Sequence, residues 1–290
     1  MGGGSWTRNE FVRYSRTKAR TVRADGTIDF GSKTAGQIYV QRALAKELDP
    51  YKVIRECCDS EEHPNTIPVI LALDVTGSMG ETAVMVASEL NTIMTELYGS
   101  VKDVEFMIMG IGDFSYDRAP LQVSQFESDI RVAEQLDKVY FEFGGGGNKW
   151  ESYSAAWAFG ITQCRLDCWK RGKKGIIITM GDEILDPYIP LQPYNAVTGH
   201  GDDLTSERDI STPELYERAK DKFDIYHIDV AHRGKVDLSG FEDLLGADHV
   251  FSVPVKGVAQ IIAHIVRERE EMEAMVPAAA AAADNGFISW

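Results

Sequence analysis

A chain of 290 residues, 44% of them hydrophobic, can bury a sizeable core and removes roughly three quarters of its unfolded surface from water. Its 45 acidic against 30 basic residues give a net charge of −15, which argues against a nucleic-acid partner, because such affinity comes from Lys and Arg neutralising phosphates. No apolar leader opens the sequence and no run approaches the ~18 apolar residues of a membrane span, so a soluble cytoplasmic protein with no membrane contact is expected. Trp6 also stands where an N-myristoylation signal needs Ser or Thr.

Residues 1–66 read as an N-terminal extension, polar with scattered aromatics (Trp6, Phe11, Tyr14, Phe30, Tyr39). Its start is basic: Arg8, Arg13, Arg16, Lys18, Arg20 and Arg23 face only Glu10 and Asp25. Such a short arm on an acidic chain is expected to pack on an acidic surface of its own domain or of a neighbouring subunit. A short helix is predicted from Gln37 to Leu48, stopped by Asp49-Pro50. Ile67–Asp74 is an unbroken apolar run, as expected of a strand buried on both faces of a parallel sheet. Glu81–Leu97 follows as an amphipathic helix with Val86, Leu90, Ile93, Met94 and Leu97 on one face.

Further strands are predicted at Val104–Gly112, Lys138–Phe143, Gly175–Met180, Ile225–Val230 and His249–Val255. Helices are predicted at Glu151–Trp169, at Thr212–Phe223 with Pro213 in its first turn, and at Val258–Glu273. This alternation makes residues 67–273 one α/β domain, a doubly wound and mostly parallel central sheet with helices on both faces. Residues 274–290 form a tail, in which six alanines lead to Phe287 and Trp290. The tail is either a tether that docks in a groove or a free terminus.

In such sheets ligands gather at the carboxyl ends of the strands. There the sequence places Asp74, Thr76 and Ser78 after the first strand, Asp113 after the second, Gly144–Gly147 with Asn148 after the third, and Asp182-Glu183 after the fourth. A carboxylate with two hydroxyls at i, i+2 and i+4 on a tight loop is an oxygen-only donor set, suited to a hard cation such as Mg²⁺ (or Mn²⁺ or Ca²⁺). Asn148, Ser152 and Asp182 complete or support that set, with Asp113 and Glu151 as nearby charges. Neutral hydroxyl and water ligands leave most of the ion's charge uncompensated, so the ion calls for an acidic residue from a partner.

At these residues the chain resembles von Willebrand factor A (vWA) domains. Asp74-Val75-Thr76-Gly77-Ser78 matches the D-x-[S/T]-x-S of their metal-ion-dependent adhesion site (MIDAS), at the end of an apolar first strand. The resemblance continues through Gly144–Asn148 and Ile178–Glu183. Asn148 stands where the family usually has Thr, with Ser152 as the alternative hydroxyl, and Asp182 comes two residues later than the family's third-loop Asp. The resemblance implies a Rossmann-like fold and a non-enzymatic protein-interaction module. It further implies a bacterial-type intracellular adaptor or assembly factor acting beside a MoxR-like AAA+ ATPase. A homo-oligomeric structural subunit, held by its two arms, is a second reading.

An enzyme reading competes. Asp74-Val75-Thr76-Gly77-Ser78 is also similar to the phosphorylated Asp loop of haloacid-dehalogenase-type phosphotransferases. Gly181–Asp186 then spells their Mg²⁺-binding G-D-x-x-x-D, and Lys173 or Lys174 would be the phosphate-stabilising Lys. Asp74 would be the nucleophile of a Mg²⁺-dependent phosphohydrolase. Against it, Val75 replaces the Lys expected after the nucleophile, and the Gly-rich loop has no role.

The remaining polar residues read as structural. His227 and His232 have no Ser or Cys paired with them in the sequence. Cys57 with Cys58, or Cys164 with Cys168 on one helix face, supplies two thiolates with His63 near the first pair, but no second pair stands at a recognised ligand spacing, so no structural zinc is expected. Gln192–Glu207, polar and rich in Gly and Asp, is expected as a partner-contacting loop at the ligand face.

Overall fold

A computed structural model describes residues 4–142, 150–230, 236–254 and 257–269. Six strands form the central sheet: β1 (Ile67–Asp74), β2 (Val104–Ile111), β3 (Leu121–Val123), β4 (Gly175–Gly181), β5 (Phe223–Asp229) and β6 (Val250–Ser252). Their order across the sheet is β6-β5-β4-β1-β2-β3, and all neighbours run parallel except β2 and β3. The register pairs Asp74 with Ile111, Leu73 with Met180 and Gly181 with Asp229, so the carboxyl ends of the four central strands finish level.

The period-two geometry of β1 divides the core. Val69, Leu71 and Leu73 face one hydrophobic cluster, Ile70 and Ala72 the other, and all five are buried. On the first face lie helices α1 (Arg8–Thr17), α2 (Gly80–Ser100), α3 (Arg131–Leu136) and the last described helix, residues 258–269. The sequence-predicted stripe of α2, Val86, Leu90, Ile93, Met94 and Leu97, is wholly buried there. The second face carries α4 (Ser154–Gln163), α5 (Leu191–Thr198), α6 (Thr212–Ala219) and α7 (Ser239–Leu245). Helix α4 is buried on nearly every side, with Trp157 and Phe159 filling the layer. Among the described residues no helix is long and apolar enough to cross a membrane.

The N-terminal residues are part of the first layer. Trp6, Phe11, Ile28, Tyr39 and Leu48 share its core, and Trp6 Nε1 donates to Asn91 Oδ1 on α2 at 3.2 Å. The basic character of the arm is used against its own domain: Arg20 makes a two-pronged pair with Asp137 at 2.9 and 2.8 Å, and the Tyr14 hydroxyl donates to the same carboxylate at 2.7 Å.

Four sequence expectations are corrected. The predicted helix Gln37–Leu48 is a single turn, Ala35–Ile38, and a separate 3₁₀ turn, Lys46–Leu48, because Tyr39 leaves the helix to bury its ring against Phe141 and donate its hydroxyl to Ala83 O at 2.6 Å. The described residues of the predicted strand, 138–142, carry no ladder, and Phe143 lies outside the described residues: the Gln122 side chain takes the place of a neighbouring strand, bonding Tyr140 O at 2.7 Å and Tyr140 N at 2.9 Å. Helix 151–169 begins only at Ser154 and ends at Gln163, whose amide donates to Pro50 O and Val53 O, both at 3.0 Å. Cys164–Leu166 then pairs with Arg55–Cys57 as a parallel ribbon, so Cys164 and Cys168 do not share a helix face. Finally, residues 192–207 are not a loop at the ligand face. They form α5 and a 3₁₀ turn, Gly201–Leu204, packed along α4, with Thr198 O accepting from Lys52 N at 2.7 Å beside the far end of that helix.

Candidate metal centre

The sheet order reverses between β1 and β4: the chain leaves β1 for β2 on one side, and β4 lies on the other. Such a switch point opens a crevice at the carboxyl ends. Asp74 ends β1 at its mouth and is fully buried. Its Oδ1 accepts from Thr76 N at 2.8 Å and Thr76 Oγ1 at 2.6 Å, which fixes the loop as an Asx turn. Its Oδ2 is buried and accepts no hydrogen bond among the described residues. Burial pushes the Asp74 carboxyl up to about 7, against the two Thr76 bonds, and Asp182 and Glu183 add to the rise.

Glu151 is the second focus. It is buried, its Oε2 is without a partner among the described residues, and burial together with Asp74, Asp117, Asp113 and Glu183 raises its carboxyl to about 10. Trp150-Glu151 is positioned by a parallel ribbon with Ile184-Leu185, which seats Asp182-Glu183 beside it. The loop after β2 brings Asp113 and Asp117: Asp113 N donates to Asp117 Oδ2 at 2.7 Å, and Asp117 is raised by burial, then by Glu142 and Asp113. Ser152 is buried and its Oγ accepts from Phe114 N on the same loop at 3.4 Å.

Of the sequence-predicted donors, the fold therefore brings Thr76 and Asp182 to Asp74, and ties Ser152, next to Glu151, to the loop after β2. Ser78 lies on the 3₁₀ turn Gly77–Met79, with its side chain outside the described residues, as is Asn148. Of the described residues that flank Asn148, Glu142 donates its N–H to Val75 O at 3.0 Å in a bridge beside Thr76. Sequence reading missed Asp117 and Tyr153. Tyr153 is buried against Gly181, where any Cβ would strike its hydroxyl. The signal for Asp117 was its place on the loop after β2, four residues beyond Asp113.

Two buried carboxylates with orphaned oxygens, ringed by more carboxylates and by hydroxyls, suit a hard divalent cation, which would relieve their mutual repulsion. Among the described residues no group of three or more His, Cys, Asp or Glu side chains is placed to hold a metal ion. An ion here would rely on hydroxyls and water as well: Asp74, Thr76, Ser152 and Asp182 would hold it and Glu151 would tune its charge.

Other candidates are engaged by partners of their own, Asp186 near Asp113 and the rest away from the metal centre. Asp186, the second carboxylate of the phosphohydrolase reading, accepts from Ser154 N at 3.0 Å and from Ser154 Oγ, at the start of α4. Lys173 and Lys174 precede β4, at the opposite edge of the sheet from Asp74, and Lys174 pairs with Asp224 at 3.2 Å. His227 is fully buried, stacked on Phe241 with Nδ1 2.9 Å from Thr179 Oγ1, and burial holds its pKa down at about 3. His232 lies outside the described residues. His63 sits between Asp103 Oδ1 at 3.2 Å and Gly4 O at 2.9 Å, and the four cysteines are free thiols.

No protein-family profile matches the chain, and no curated protein matches it in sequence. Solved structures similar to it include the pilus adhesin SpaC from Lactobacillus rhamnosus GG, at 11% identity and TM-score 0.48 over 72% of this chain and 31% of that one. Proximal thread matrix protein 1 from the mussel byssus is similar at 11% identity and TM-score 0.45 over 71% of this chain and 48% of that one. A form of the mussel protein with a zinc-occupied MIDAS motif has 10% identity, TM-score 0.45 and coverages of 71% and 48%. The chain thus spans less than half the length of these structures.

Proposed function

We propose that this chain is a non-enzymatic protein-interaction module of the vWA type, which binds an acidic residue of a partner through a divalent ion at the carboxyl edge of its sheet. The observation that carries the reading is the buried Asp74 carboxylate, with one oxygen fixed by Thr76 and the other unpartnered, at the switch point of the sheet. The ion, when bound, would offer an open position to an external carboxylate. Asp74 and Thr76 would anchor it, with Ser152 and Asp182 alongside, and Glu151 would keep a proton so that the site does not over-neutralise the ion. Mg²⁺ is the first choice, given oxygen-only donors. A cytoplasmic adaptor beside an AAA+ ATPase is the partner setting the motif resemblance suggests.

The test is a thermal-shift titration with Mg²⁺, Mn²⁺, Ca²⁺ and Zn²⁺ on wild type and Asp74→Ala. An ion at ~100 times its dissociation constant adds about 2.7 kcal/mol to the folded state. Stabilisation of wild type alone supports the reading; an equal response of both proteins, or none from either, removes it.

A further inference from the structure

We propose that a cavity at the amino-terminal edge of the sheet binds a phosphate-bearing small ligand of nucleotide size. The cavity measures about 340 Å³, within the range of small-ligand pockets. Five cations line it, Lys102, Arg171, Lys173, Lys174 and Arg269, against the single carboxylate of Asp103. That is a concentration of positive charge on a chain of net charge −15, in a concave site that focuses the potential. Asp103, with Asp59 behind Arg171 and Asp224 behind Lys174 and Arg269, offsets three of these five charges, and the lining keeps a positive excess.

The cations are held in place. Arg171 donates to Thr66 O at 2.8 Å and pairs with Asp59. Arg269 pairs with Asp224 at 2.8 Å and donates to Lys174 O at 3.0 Å, while Lys174 Nζ lies 3.2 Å from the same Asp224. Guanidinium groups fixed in this way lose little further freedom on meeting a ligand, and the guanidinium fork matches phosphate geometry. Lys102 is exposed at the rim as a point charge, and Ile67 and Cys168 supply an apolar wall for the body of a nucleotide. The site is separate from the metal centre: Ile67 and Asp74 stand at opposite ends of β1, so roughly 25 Å of strand lies between the two.

Isothermal titration of the full chain tests this, in EDTA to silence the metal centre and at constant ionic strength, with ADP, tripolyphosphate and citrate as probes. ADP or tripolyphosphate is expected to bind, citrate at least about tenfold more weakly, and Lys102→Gln/Lys173→Gln to lose about tenfold or more in affinity. Lys102→Gln alone, at an exposed position that the fold does not depend on, is expected to lose about threefold. ADP binding tighter than tripolyphosphate assigns a nucleotide; equal affinities assign the phosphate chain alone. The proposal is overturned if neither phosphate probe binds at about 5 mM, if citrate matches them, or if the variants bind as wild type does.

Discussion

Replacing Asp74 with Asn separates the charge of this side chain from its shape. The folded carboxyl is raised from 3.8 to about 7, chiefly by burial. Between those two values the folded chain holds a proton that the unfolded chain has released, so stability falls as pH rises through that window and stays reduced above 7. Three units correspond to about 4 kcal/mol of destabilisation at pH 8, and to about 2 kcal/mol at pH 5, where folded Asp74 is neutral. Asn keeps the acceptor for Thr76 N and Thr76 Oγ1 but places an amide where Oδ2 has no partner, at a cost of about 1–3 kcal/mol. Without metal, Asp74→Asn should therefore be about 1–3 kcal/mol more stable than wild type at pH 8, and its stability relative to wild type should drop by about 2 kcal/mol by pH 5. Urea unfolding in EDTA at both pH values measures it. A stability difference that does not change between pH 5 and pH 8 refutes the argument.

Metal affinity should fall as pH drops through about 7, because the ion competes with a proton at Asp74; titration calorimetry in buffers of different ionisation heat should find about half a proton released per ion at pH 7, rising towards one at pH 6. Arg20→Ala leaves the nearly buried Asp137 carboxylate without its two-pronged partner and should cost about 3 kcal/mol, with faster proteolytic release of the N-terminal residues. Gly181→Ala forces a Cβ into the Tyr153 ring and should destabilise by about 1–3 kcal/mol; Tyr153→Phe in that background should recover part of the loss in a urea titration.

Local sequence was enough for the strands and helices whose burial is written in their own periodicity. Ile67–Asp74 and Gly175–Gly181 are apolar throughout because both faces of a central parallel strand are covered, and α2 carries its core stripe at helical spacing. The Asp74-Val75-Thr76 loop was legible for the same reason: its chemistry lies within three residues, closed by bonds that the loop makes with itself. What came from further along the chain was not legible. The 138–141 segment is alternating and aromatic enough to read as a strand, yet the Gln122 side chain occupies its pairing groups. Helix α4 stops where Gln163 meets Pro50 and Val53, more than a hundred residues away in sequence. Glu151 reads as a charge near the site, but Asp117 reads as one acid among forty-five until the fold buries the two carboxylates close enough to raise Glu151. Sequence therefore determined which residues could form strands, helices and a cation loop, since these depend on neighbours a few positions apart. Tertiary structure alone decided which carboxylates share one desolvated pocket and which cations share the opposite cavity, because charge interactions depend on distance in space and on the exclusion of water.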